Sequence, residues 1–128
     1  MRLWHYEFIP YLPKSQLVAQ WRELNSIYKK QDKHILINYI YDYPKAYLKS
    51  YSDKVVAEMK NRGYKIRSYD NYNKYFDNVV CSGNEIFEEH DNTYMRICYY
   101  NLLEKYMRGQ KDFSLCGFMA LSEFYSKE

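Results

Sequence analysis

A chain of 128 residues with 47% hydrophobic and 27% charged side chains has the composition of an ordinary folded protein, large enough for one core, which excludes a disordered chain. The net charge is only +3, yet residues 1–67 carry 13 Lys/Arg against 6 Asp/Glu and residues 68–128 carry 6 against 10; this fits a basic face for an anionic partner beside a solvated acidic one, or simply scattered surface charge. Three widely spaced cysteines without a metal-ligand spacing, no long apolar run and no signal-peptide layout at the N-terminus lead to the expectation of a cytoplasmic protein that does not enter a membrane.

Residues 1–13 alternate aromatic and apolar side chains around Pro10 and Pro13. Prolines remove backbone donors, so this stretch is expected to be an extended arm lying across the body of the protein. From Lys14 the period changes, and Leu17, Trp21, Leu24 and Tyr28 recur at helical spacing. A helix is predicted to about Lys30, with Ser15 as its cap. Arg22 and Glu23 project about 100° and 200° from Trp21, which lets one of them face the start of the arm.

A polar, mainly basic connector at 29–34 leads into Ile35–Tyr41. That run has strand propensity but no second strand to pair with, so a buried turn or short helix is preferred. Pro44 opens a second helix whose apolar face is Tyr47, Leu48, Tyr51, Val55 and Met59, and Gly63 stops it. Residues 64–90 lack a period and read as a long loop. Asp91 caps a third helix, with a stripe of Tyr94, Ile97, Cys98, Leu102 and Tyr106 up to Gly109, and a last helical segment runs from about Ser114 to Tyr125. The expected fold is all-α: a compact single domain of three main helices with an extended N-terminal arm and long loops.

Seventeen Tyr, six Phe and two Trp make up a fifth of the chain. Tyrosine has a flat face for stacking and a hydroxyl for phosphate or water, so such richness suits a nucleic-acid or nucleotide surface, or an aromatic rim around a core. His5, His34 and His90 stand too far apart in sequence for a metal site, and neither a hydroxyl–histidine–carboxylate set nor a Gly-rich phosphate loop is present. The remaining candidate is the charged pair Arg22-Glu23 on an otherwise apolar helix. A charge in such a setting costs desolvation energy unless it is paired or works on something.

Met1-Arg2-Leu3-Trp4, Tyr11-Leu12 and Leu17-Val18-Ala19-Gln20-Trp21-Arg22-Glu23 resemble the start of the pyrimidine-dimer DNA glycosylases, the family of phage endonuclease V and bacterial ultraviolet endonucleases. The resemblance continues through Lys33-His34, Asn38-Tyr39 and Glu58-Met59-Lys60-Asn61-Arg62-Gly63-Tyr64, and returns at Glu89-His90-Asp91. It implies a small all-α enzyme, residues 1–128 forming one domain, whose nucleophile is the α-amine of its first residue. That amine attacks the sugar carbon bearing the damaged base, forms a Schiff base and permits strand cleavage by elimination.

Because Arg2 is too large for ordinary methionine removal, the implied amine is that of Met1. An α-amine with a pKa of about 7.7 to 8.0 is partly neutral near pH 7. By the same resemblance Glu23 is the catalytic carboxylate, while Arg2 and Arg22 hold damaged duplex DNA with a flipped nucleotide. Gln16 stands where phage endonuclease V has a histidine, and Trp21, Lys29, Lys30, Lys33 and His34 complete the candidate DNA- or ligand-binding set. No cofactor and no metal are expected, and the protein is taken as a monomer or small homo-oligomer. The alternative is a non-catalytic protein on the same scaffold, of a kind a phage could encode, that sequesters a free nucleotide or small anion; a protein-interaction module with exposed aromatics is the plainest reading.

Overall fold

The computed structural model describes residues 1–128. Five α-helices, α1 (Lys14–Lys30), α2 (Lys45–Asn61), α3 (Asp70–Tyr75), α4 (Asn92–Met107) and α5 (Leu115–Lys127), alternate with two 3-10 segments, Tyr6–Tyr11 and Asn38–Asp42, and there is no strand. The expected all-α class is observed. Four of the helices are long, so the expectation of three main helices is corrected: the last segment is a full helix of 13 residues.

Sequence punctuation accounts for most of the boundaries. Pro44 in extended conformation precedes α2, and Gly63 at φ +79° follows it, its N–H bonding to the Lys60 carbonyl while the Tyr64 N–H reaches Met59. The Asp91 carboxylate accepts the Tyr94 N–H at 2.9 Å and the Ser114 hydroxyl accepts the Gly117 N–H at 3.0 Å, so α4 and α5 start on side-chain caps. Ser15 does not cap α1 as expected. It lies inside the first turn, where Asp112 from the α4–α5 connection accepts both its N–H (2.6 Å) and its hydroxyl (3.0 Å). The orphan donor is thus satisfied across 97 positions of sequence.

The arm is extended only at its two ends. Tyr6–Tyr11 winds into a 3-10 segment that contains Pro10 and buries Phe8 and Ile9. A short 3-10 stretch forms few internal bonds, so a late proline forfeits little. Ile35–Tyr41 is a turn leading into the Asn38–Asp42 segment, with Ile37 and Ile40 buried but Ile35 exposed. Within 64–90, read as loop, Asp70–Tyr75 forms α3 and packs on α1.

The core comprises 22 buried residues drawn from the arm through α5. From α1 it takes Leu17, Leu24, Ile27 and Tyr28, with Trp21 only half-buried at the edge. From α4 it takes Met95, Cys98 and Leu102; Ile97, expected in that stripe, is exposed because it lies about 100° from Cys98. Aromatic stacking joins α4 to α5, with Tyr99 on Tyr125 at 4.1 Å and Tyr106 on Phe118 at 4.3 Å between ring centroids. Many tyrosines therefore serve the core rim. No helix is long and apolar enough to cross a membrane.

Candidate active site

The arm's first residues are fixed by side chains from three different helices. Three consecutive carbonyls each accept a hydrogen bond: Arg2 from Gln20 Nε2 of α1 (3.1 Å), Leu3 from the Tyr94 hydroxyl of α4, and Trp4 from the Tyr51 hydroxyl of α2 (2.7 Å). The Trp4 N–H donates to Gln20 Oε1 at 2.9 Å. Leu3 and Trp4 are buried beneath this lattice, so Met1 emerges at a defined place although its own side chain is exposed.

That place is a small pocket of about 190 Å³ lined by Met1, Arg2, Trp4, Gln16, Ala19, Glu23, Asn101 and Lys105. Glu23 lies half-buried on the α1 wall, and its Oε2 accepts a hydrogen bond from Gln20 Nε2 at 3.3 Å. Burial pushes its carboxyl pKa above the ordinary value. The Met1 amine, Arg22 and Lys105, in that order, oppose the shift by favouring the carboxylate. The pocket therefore holds an amine, a carboxylate kept more basic than usual by desolvation, and two further cations.

Of the residues expected at the site, Met1, Arg2, Gln16 and Glu23 meet here. Arg2 is half-buried, its guanidinium 5.9 Å from the Trp4 ring centroid. Gln16 spans towards the α4–α5 connection, its Nε2 donating to Gln110 Oε1 at 3.3 Å. Arg22 is exposed on the neighbouring side of α1. With Trp21 it lines a groove of about 830 Å³ whose walls also carry Lys14, Tyr64, Lys65 and Arg67. The groove is basic and aromatic, with the Lys14 ammonium 5.1 Å from the Tyr64 ring centroid.

Lys29, Lys30, Lys33 and His34 are exposed at the far end of α1 and line neither the pocket nor the groove. Lys30 lies seven residues beyond Glu23, which is about 10 Å along a helix. His34 serves its own turn, Nδ1 accepting the Leu36 N–H at 3.1 Å.

A family model for the pyrimidine dimer DNA glycosylase matches residues 1–71. The chain belongs to that family. No curated protein and no solved structure matches it. In this DNA repair glycosylase the match takes in the arm, α1 and α2, and hence every pocket residue except Asn101 and Lys105 of α4.

Sequence reasoning missed four residues in and behind this candidate site. Gln20 carried a signal, being a polar residue in the buried series Leu17, Gln20, Leu24, Ile27. Tyr51 stood in the predicted apolar face of α2 with only its hydroxyl to mark it. Asn101 and Lys105 gave none, since their approach to α1 depends on how α4 packs. His5 and His90, judged too far apart, in fact stack with ring centroids 5.5 Å apart. No group of three or more His, Cys, Asp or Glu side chains gathers in a metal-binding arrangement.

Proposed function

We propose that the chain is a pyrimidine-dimer glycosylase with lyase activity that acts through the free α-amine of Met1, with residues 1–128 working as one domain. The observation that carries this reading is the pocket that Met1 and Glu23 both line, the amine being the strongest cation acting on that carboxylate. In the reaction the neutral amine attacks C1′ of the damaged nucleotide. The C1′–N bond breaks and the base leaves with the bonding electrons, taking up a proton. Ring opening yields an iminium between Met1 and C1′. Loss of a proton from C2′ then expels the 3′-phosphate, and water releases the enzyme.

Glu23 stabilises the positive sugar as it forms and moves the proton at C2′. Both tasks suit a half-buried carboxylate of raised basicity. The Lys105 ammonium and the Asn101 amide supply cationic and polar contacts for the sugar-phosphate. Lys14, Arg22, Lys65 and Arg67 hold the backbone of the damaged duplex along the adjoining groove.

The test is nicking of duplex DNA containing a single thymine dimer by protein whose intact mass proves an unmodified Met1 terminus. Glu23→Gln is expected to abolish nicking and leave binding largely intact; loss of both together would make Glu23 structural. The same groove, with Trp21 and Tyr64 among cations, favours a second reading as a nucleotide or small-anion site. Tight, salt-tolerant uptake of a free nucleotide would select that reading, whereas DNA affinity falling steeply with salt selects the first.

A further inference from the structure

The Gln20 side chain is almost completely buried, at 1% exposure, and both ends of its amide are hydrogen-bonded. Oε1 accepts the Trp4 N–H (2.9 Å) and shares the Tyr51 hydroxyl proton (2.9 Å) with the nearer Trp4 carbonyl (2.7 Å); Nε2 donates to the Arg2 carbonyl (3.1 Å) and to Glu23 Oε2 (3.3 Å). The orientation admits no flip. A backbone N–H can only donate and a backbone carbonyl can only accept, so Oε1 must face Trp4 and Nε2 must face Arg2.

One planar group therefore ties two elements that have no covalent proximity. It holds the arm at Arg2 and Trp4, one residue beyond the amine, and it holds one oxygen of Glu23. Glu23 itself lines the pocket. Burying an amide is costly unless all its partners are in place, and a hydrophobic residue at this core position would meet no such requirement.

We propose that Gln20 is a positioning residue that sets the distance between the Met1 amine and the Glu23 carboxylate, coupling nucleophile and proton carrier through one amide. This rests on the reading of Met1 as nucleophile. Gln20 does not line the pocket and acts through the arm and Glu23. Its effect is geometric, and a displacement of about 1 Å in such an arrangement can cost about 100-fold in rate.

The experiment compares borohydride trapping on abasic-site duplex DNA for wild type, Gln20→Met and Gln20→Asn at a temperature where all are folded. Methionine keeps the length and removes every bond. Asparagine keeps the amide but is one methylene too short to reach the arm and Glu23 together. The control for lost stability is Ser52→Ala, which breaks a buried contact with Tyr28 and Leu48 away from the arm.

Both Gln20 variants should trap about 100-fold more slowly than wild type with DNA binding little changed, and Ser52→Ala should trap at nearly the wild-type rate. Gln20 variants that slow trapping no more than Ser52→Ala does would overturn the proposal. A second readout separates this proposal from the functional reading. Wild type forming no adduct would refute the Met1 nucleophile, and Gln20 is then judged by carbon-13 NMR titration of the Glu23 carboxyl. Loss of the Gln20 bond and release of the amine-bearing arm should move that titration upward in Gln20→Met. A titration unchanged from wild type would show that Gln20 does not couple the two groups.

Discussion

His90 should make the fold sensitive to mild acid. Its Nδ1 accepts the Tyr6 N–H at 3.2 Å, so that nitrogen carries no proton, and Nε2–H is left to donate to the Tyr39 hydroxyl at 2.8 Å. Burial, reinforced by the stacked His5 ring, lowers its pKa from 6.5 to about 3. The folded value lies below the unfolded one, so the unfolded chain binds the extra proton first. The stabilisation is complete above pH 6.5 and is lost as pH falls towards 3.

Over the one and a half units from 6.5 to 5, at about 1.36 kcal/mol per unit, the loss is about 2 kcal/mol. His5 is shifted in the same direction, mainly by burial, and adds to the slope. Protonating Nδ1 would also break its bond to the arm. Urea unfolding at pH 7, 6 and 5 measures the slope. In His90→Asn it should flatten, on top of a loss of about 1–3 kcal/mol at pH 7 for the Tyr39 hydroxyl left unpaired. Equal acid slopes in wild type and variant would refute the assignment.

Glu23 titrates with the opposite sign. Its folded pKa is raised by burial, so the ionised carboxylate costs stability above that value and costs nothing below the unfolded one. Glu23→Gln should therefore melt at a higher temperature than wild type at pH 7, the gap closing as pH drops through the carboxylate range; a lower melting point at neutral pH would contradict the burial argument. Replacing Lys14, Arg22, Lys65 or Arg67 by Gln should each reduce the salt dependence of duplex binding, the slope of log K against log salt falling by about 0.9 per lost phosphate contact. The same change at Lys29, Lys30 or Lys33 should leave the slope nearly unaltered. Leu24→Ala, at a fully buried position of α1, should cost about 2–5 kcal/mol in chemical denaturation, and a cost under 1 kcal/mol would mean that α1 does not pack as described.

The elements legible in the sequence are those with local causes. Pro44 and Gly63 bracket α2, Asp91 and Ser114 cap α4 and α5, and the series Leu17, Leu24, Tyr28 marks the buried side of α1. Two elements escaped for physical reasons. The Tyr6–Tyr11 segment hides behind prolines that a 3-10 turn tolerates, and α3 buries none of its six residues, so it has no apolar period to detect.

For the site, Met1, Arg2, Gln16 and Glu23 could be named from the resemblance, and the pocket brings them together. What joins them could not be read. The pinning of three carbonyls by Gln20, Tyr94 and Tyr51 depends on three helices converging, and the meeting of His5 with His90 spans most of the chain. The basic connector at Lys29–His34 lies apart from the pocket and the groove for the complementary reason. Charge is visible in sequence, but the side of the protein it lands on is not.

The central claim is that the Met1 amine is the nucleophile, and covalent trapping tests it most directly. Native protein with a verified Met1 terminus is incubated with abasic-site duplex DNA and borohydride, and the adduct is digested and mapped by mass spectrometry. The reduced sugar should be found on the Met1 nitrogen, and acetylation of that amine should abolish the adduct. An adduct carried by a lysine such as Lys105, or one that survives acetylation of Met1, would contradict the account.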